Sequence, residues 1–239
     1  MTNIQKPIYL IAGGGGRNIL STFHIIAAIV RDMGKAKPTI AYIGVASLGD
    51  NWFIYLIISG LLRVMCHCQV RRILIAPKNA DLDKAQEALE LVDIVFLSGG
   101  DMEAGMKILE EKNMVGFFQE LSRKGKLFVG ASAGSIMLAN EWVNWRNPHD
   151  ESTAELFPCL GIAPVICDTH AEKDDWNELK AALQFKEAGT IAYGIISGSC
   201  LKVYPDGRLE AMNGAIARYI LQNGKVERQA DLLPVDYTK

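Results

Sequence analysis

Through roughly the first 140 residues, short apolar runs alternate with longer segments whose apolar residues recur every three or four positions. Ile8–Ala12, Thr39–Gly44, Arg72–Ala76, Asp93–Leu97 and Leu127–Gly130 read as strands that are apolar on both faces, as strands covered by helices on either side must be. Between them, Asn18–Met33, Asn51–Cys66, Asp81–Leu91, Met102–Lys112 and Met114–Lys124 carry helical spacing. Asn51 and Asp81 fit as N-caps, and Gly34 and Gly125 as the residues just past a helix end. Strand and helix repeated in this way predict an α/β fold, a doubly wound and mostly parallel sheet joined by right-handed crossovers. Ligands of such sheets gather off the carboxyl ends of the strands, so the turns after each strand are where chemistry is expected.

Beyond residue 140 the pattern loosens. Trp142–Phe157 is polar and aromatic and predicts an irregular excursion, with Trp142, Trp145 and Phe157 either folded over the crevice or meeting another copy of the chain. A strand at Ala163–Cys167 and a helix at Trp176–Glu187 follow, then short strands at Ile191–Ile196, Cys200–Tyr204, Arg208–Met212 and Ala215–Leu221. Pro205-Asp206-Gly207 is a turn between two of these, so a C-terminal antiparallel hairpin or meander is expected. No repeat, low-complexity tract or linker interrupts the chain, and residues 1–239 read as a single domain.

Composition narrows the function classes. Hydrophobic residues make up 49% and charged residues 22% of the 239 positions, the balance of a globular protein rather than a disordered one. A net charge of −2 gives no footprint for nucleic acid or an anionic membrane. The greasiest stretch, Trp52 to Met65, is interrupted by Gly60 and Arg63 and is shorter than the roughly 20 apolar residues of a span. Five irregularly spaced cysteines fit free thiols in a reducing compartment, and the N-terminus lacks the pattern of a signal peptide, so a cytoplasmic location is expected. Cys66-His67-Cys68 is too closely spaced for a zinc site and has no second pair, so neither a metal nor a cofactor is expected.

The strand ends carry the chemistry. Gly13 to Gly16 follow the first strand, but Asn18 and Ile19 stand where a dinucleotide fingerprint needs its last glycine, and no acidic residue ends the second strand. Gly14 and Gly15 read instead as a tight turn on the crevice. The fourth strand ends in Ser98-Gly99-Gly100-Asp101, which either aims backbone N–H groups into the crevice or is a plain turn with Asp101 as N-cap. The fifth runs into Gly130-Ala131-Ser132-Ala133-Gly134, a G-x-S-x-G between an apolar strand and a helix. That is the context of a nucleophile elbow, which would expose the Ser132 hydroxyl and let the Ala133 N–H face a developing oxyanion. A serine nucleophile needs a base. Of the four histidines, His24 and His67 lie in helical patterns, His149 in a polar loop, and His170 directly off a strand where a base belongs.

Together, Ser98-Gly99-Gly100-Asp101, Gly130-Ala131-Ser132-Ala133-Gly134 and Asp168-Thr169-His170 resemble the dipeptidase E and cyanophycinase family of serine peptidases over roughly residues 7 to 205. The resemblance implies a class I glutamine amidotransferase-like, flavodoxin-like three-layer fold acting on small peptides or isopeptide-like amides. It makes Ser132 the nucleophile and His170 the base, with an oxyanion hole from Gly99, Gly100 and Ala133. The chain departs from the family at two places. The run that would end in the orienting acid reads Gly194-Ile195-Ile196-Ser197, leaving Ser197 or Asp168 to support His170, with Glu172 and Asp174 as further candidates. The arginines that suit an aspartate-rich substrate are replaced by the acidic segment Ala171–Glu178; Arg17, Arg146 and Lys173 could supply a cation in their place, and the sequence picks none of them. Two rivals follow from these departures and from the glycine turn: a ligand-binding protein on a hydrolase scaffold, and a nucleotide-binding module. Whether the chain forms a homo-oligomer is left open.

Overall fold

The structure, a computed structural model, describes residues 5–13, 18–47, 50–147 and 153–234. Its central sheet has seven strands in the order β11-β10-β1-β5-β4-β2-β3. These are β1 (Ile8–Ile11), β2 (Thr39–Ile43), β3 (Gln69–Ile73), β4 (Ile94–Leu97), β5 (Leu127–Ala131), β10 (Cys200–Val203) and β11 (Leu209–Met212). The five strands from β1 to β3 run parallel, while β10 and β11 add antiparallel to the β1 edge. Alternate side chains feed two cores. Ile8 and Leu10 pack into one buried cluster, and Tyr9 and Ile11 into another. Helices α1 (Asn18–Asp32) and α2 (Trp52–Cys66) cover the second cluster, through Phe23, Ile26 and Leu62. The first is covered by α3 (Leu82–Leu91), α4 (Met102–Glu111), α5 (Val115–Arg123) and α6 (Ala133–Leu138). Helices on both faces are why these strands are apolar on both sides, and the expected doubly wound architecture is present.

The helix ends follow local sequence. Asn51 accepts from the backbone N–H groups of Phe53 and Ile54, and Asp81 from that of Lys84. Gly34 and Gly125 turn the chain out of α1 and α5 at φ +66° and +81°.

Three expectations are corrected. The third strand is Gln69–Ile73, not Arg72–Ala76. It pairs with β2 alone, from Thr39↔Gln69 to Ile43↔Ile73. Past that register the N–H groups of Ile75 and Ala76 donate to the buried Asp50 carboxylate, at 3.3 and 3.1 Å, so the apolar run outlasts the ladder. The stretch after residue 140 is no loose excursion but a hairpin of β6 (Glu141–Trp145) and β7 (Ala154–Pro158). Its aromatics pack on the protein's own core, Trp142 buried and Trp145 and Phe157 half-buried against it, which accounts for them without a lid or a second copy.

The third correction is a further sheet, β13-β12-β9-β8, beside the first. It comprises β8 (Ile166–Thr169), β9 (Ile191–Ile195), β12 (Ile216–Gln222) and β13 (Lys225–Leu232), and α7 (Asn177–Gln184) packs on it. The expected C-terminal hairpin is β10–β11; a second, β12–β13, turns at Asn223-Gly224, both at positive φ. One buried cluster runs from the main sheet through α6 and α7 into this sheet. The strand that bears His170 thus lies in a different sheet from the one that bears Ser132.

Candidate active site

Strand β5 ends at Ala131, and Ser132 turns the chain into α6 with φ 54° and ψ −125°. A non-glycine residue there costs about 1–3 kcal/mol, a strain held only where surrounding bonds impose it. They do: the Ser132 N–H donates to Ile11 O at 2.8 Å, and Ser132 O accepts from the Ser135 N–H at 2.8 Å. The side chain is half-buried and makes no capping hydrogen bond. The Ala133 N–H, first in the helix, has no intrahelical acceptor.

The turn after β4 lies against this elbow. A Cβ at Gly99 would stand 3.0 Å from Ser132 Cβ and 3.5 Å from its Oγ, and a Cβ at Gly100 would stand 1.8 Å from Ala46 O. Gly100 also adopts φ +145°, so that position demands glycine, while a side chain at Gly99 would crowd Ser132. A buried serine pair fixes the turn from behind. Ser47 Oγ donates to Gly99 O at 2.8 Å and lies 2.7 Å from Ser98 Oγ. With the Ser47 proton spent on Gly99, Ser98 donates to Ser47. In a trans peptide the N–H opposes the carbonyl, so Gly100 N–H points away from Ser47. Ser47 was not singled out from sequence, although a serine just past β2 stands at the carboxyl end of a sheet strand.

His170 follows β8 at φ 64°, its N–H on Ile195 O at 3.3 Å. Its Nδ1 lies 3.2 Å from Ser197 Oγ. The 197–199 turn is tied to the end of β1: Gly198 N–H donates to Ala12 O at 2.8 Å, and Ala12 N–H to Ser199 O at 3.0 Å. Since Ile11, the preceding residue, accepts from Ser132, the end of β1 links the Ser132 turn to that of His170. No hydrogen bond joins Ser132 Oγ to His170 in this structure. Burial lowers the His170 pKa below its ordinary 6.5, partly offset by the Glu172 carboxylate.

Asp168 makes no hydrogen bond to His170. Its Oδ1 accepts from Thr169 N–H at 2.5 Å, and among the described residues its buried Oδ2 has no partner. Burial, reinforced by the charges of Glu178, Asp174 and Glu172 against a lowering bond from Thr169, pushes its pKa to about 8. Asp101 caps α4, accepting from Ala104 N–H at 3.0 Å, and is exposed. Gly14, Gly15, Arg17 and His149 lie outside the described residues. Arg146 is engaged by Glu155. All five cysteines are buried free thiols; desolvation pushes Cys66 and Cys159 up to about 12 and Cys68 to about 11, so they stay protonated at neutral pH. A cavity of about 410 Å³ between β3 and α3, lined by Arg72, Pro77 and Lys84 among others, includes neither Ser132 nor His170.

The profile of peptidase family S51 matches residues 8–208. The chain belongs to peptidase family S51. As a member it is a peptidase-like hydrolase of the dipeptidase E type, as the three motifs implied. Among solved structures it is similar to a peptidase from an acI-B1 Actinobacterium, with TM-score 0.73 and 18% identity over 98% of this chain and 96% of that one. It is also similar to a protein assigned as peptidase E from Listeria monocytogenes EGD-e, with TM-score 0.61 and 12% identity over 87% and 98%. At those identities the likeness concerns the fold, and it is the S51 member's α/β fold that the two share. The comparison with curated proteins gave no match. No described helix of this S51 member is long and apolar enough to cross a membrane.

Proposed function

We propose that this S51 member hydrolyses small peptides or isopeptide-like amides through an acyl-enzyme on Ser132. The observation that carries the reading is the strained Ser132 elbow with the bare face of Gly99 against its hydroxyl. His170 Nε2 takes the proton from Ser132 Oγ as the oxygen attacks the substrate carbonyl. The negative charge that develops on the carbonyl oxygen meets the N–H groups of Gly99, Gly100 and Ala133. Collapse expels the amine, which takes the proton from His170. Water then attacks the ester, giving its proton to His170, and Ser132 recovers a proton as the acid leaves. Ser197 holds the imidazole by accepting from Nδ1–H, which leaves Nε2 as the base. The acidic segment after His170 argues against an aspartate-rich substrate. Buried free thiols suit a reducing compartment, and the cytoplasm is the proposed location.

The neutral Ser197 at His170 also favours a second reading, a member that binds a small ligand without turning it over. Fluorophosphonate labelling read by mass spectrometry separates the two. Labelling at Ser132 that vanishes in Ser132→Ala and His170→Ala supports the hydrolase, and a dipeptide panel then identifies the substrate. Folded wild-type protein that resists the probe supports the binding protein.

A further inference from the structure

Replacing a triad's acid by a neutral residue costs about 10⁴ in turnover where nothing takes over its role. Ser197 alone is such a neutral residue, but its surroundings hold a charge. The Glu172 carboxylate accepts the Ser197 backbone N–H through Oε1, which sets it beside the Ser197 side chain, and Ser197 in turn lowers the carboxylate's pKa. A hydroxyl carries one proton. When His170 Nδ1–H donates to Ser197 Oγ, that proton is free to point at Glu172.

We propose that Glu172 is the anion of this active site, a positioning residue that acts on His170 through the Ser197 hydroxyl. The inference rests on the hydrolase reading for its kinetic consequences but not for its geometry. As Ser132 gives its proton to Nε2, the imidazolium keeps Nδ1–H on Ser197, Ser197 keeps its proton on Glu172, and no proton moves beyond the imidazole. The backbone bond from Ser197 fixes the carboxylate beside the hydroxyl it polarises. The carboxylate that the resemblance places on this residue is, in this arrangement, supplied from the neighbouring turn. The other acidic groups nearby do not serve this role. Asp168 on β8 holds its proton to about pH 8, and Asp174, Glu172 and, on α7, Glu178 all act on Asp168, but of these carboxylates Glu172 is the one that acts on His170. Burial tends to raise the Glu172 pKa, but its bonds from Ser197 and the nearby His170 outweigh this and keep it below the usual value, so the carboxylate is ionised at neutral pH.

The test is a double-mutant cycle on the full chain with two readouts: the imidazole NMR titration of His170, and the rate of fluorophosphonate labelling at Ser132. Glu172→Gln and Ser197→Ala should each lower the proton affinity of His170 by about tenfold and slow labelling by at least about tenfold. Because both break one relay, the double variant should be no worse than the poorer single. Ser197→Asp in the Glu172→Gln background should restore both readouts by putting a carboxylate directly on Nδ1. Effects that multiply in the double variant, or a Glu172→Gln protein with an unchanged titration, would overturn the relay. If the wild type is never labelled, the hydrolase reading fails while the titrations still decide the relay, since they need no catalysis.

Discussion

The Cα hydrogen of Gly99 faces Ser132: a methyl group in its place would come within 3.0 Å of Ser132 Cβ and 3.5 Å of Oγ. Such crowding displaces either the Ser132 hydroxyl or the turn proposed to present the oxyanion donors. Gly99→Ala is therefore expected to slow labelling at Ser132 by about 10²-fold or more, the cost of losing one oxyanion donor. The melting temperature should change little, because the turn is at the surface of the crevice. A variant labelled at the wild-type rate would show that the reacting face of Ser132 lies elsewhere.

The last glycine of the elbow serves packing. A Cβ at Gly134 would stand 2.2 Å from Leu97 O, so α6 can cross the end of β4 only because that atom is missing. Gly134→Ala must push the helix off the sheet, and a loss of about 3 kcal/mol is expected, the upper end of the usual cost of an overpacked core. Urea unfolding curves of the two proteins measure it directly.

Histidine as a base works only when neutral. Burial holds the His170 pKa below 6.5 despite the opposing pull of Glu172. Hydrolysis, or labelling in its place, should rise with pH to a plateau with a midpoint under 6.5. Removing Glu172 should shift that midpoint lower still, since the imidazolium loses its anion. A midpoint above 6.5 would mean that the imidazolium is more strongly stabilised than the packing around it indicates.

Asp168 offers a stability measurement independent of activity. The folded protein holds its proton up to about pH 8, whereas the usual value is 3.8. Unfolding therefore releases a proton across that window, and this residue's contribution to stability is full below pH 3.8 and is lost as pH rises toward 8. Asp168→Asn, which cannot ionise, should flatten the decline and exceed the wild type in relative stability at pH 8 compared with pH 5. Urea midpoints at those two values suffice; parallel declines in the two proteins would show that Asp168 ionises normally in the fold.

How much of this was legible along the chain depends on how local each feature is. The elbow is five consecutive residues between a strand and a helix, so its form follows from Gly130, Ser132 and Gly134 themselves. The caps at Asn51, Asp81 and Asp101 bond to N–H groups two or three residues away, and sequence located all three. Strands apolar on both faces required helices on both faces, and that fixed the parallel core of the sheet.

Other boundaries answered to distant partners. β3 stops where β2 stops offering partners and Asp50 begins to, and Asp50 is 25 residues from Ile75. Nothing in the apolar run Ile73–Ile75 marks that point. The aromatic segment after residue 140 became a hairpin because the core gave Trp142 somewhere to go, which a local reading of polar and aromatic residues did not reveal. The motif order thus pointed to the family within the sequence alone, and the elbow to Ser132 as the proposed nucleophile. The sequence named Ser197, Asp168 and nearby carboxylates as candidates to support His170, but which of them meets the imidazole was decided by the folded chain: Ser197, 27 residues away, lies against Nδ1, and Glu172 accepts from the Ser197 N–H across 25. A hydrogen bond depends on where two atoms are in space, and the second sheet, packed through α6 onto the first, is what put them together.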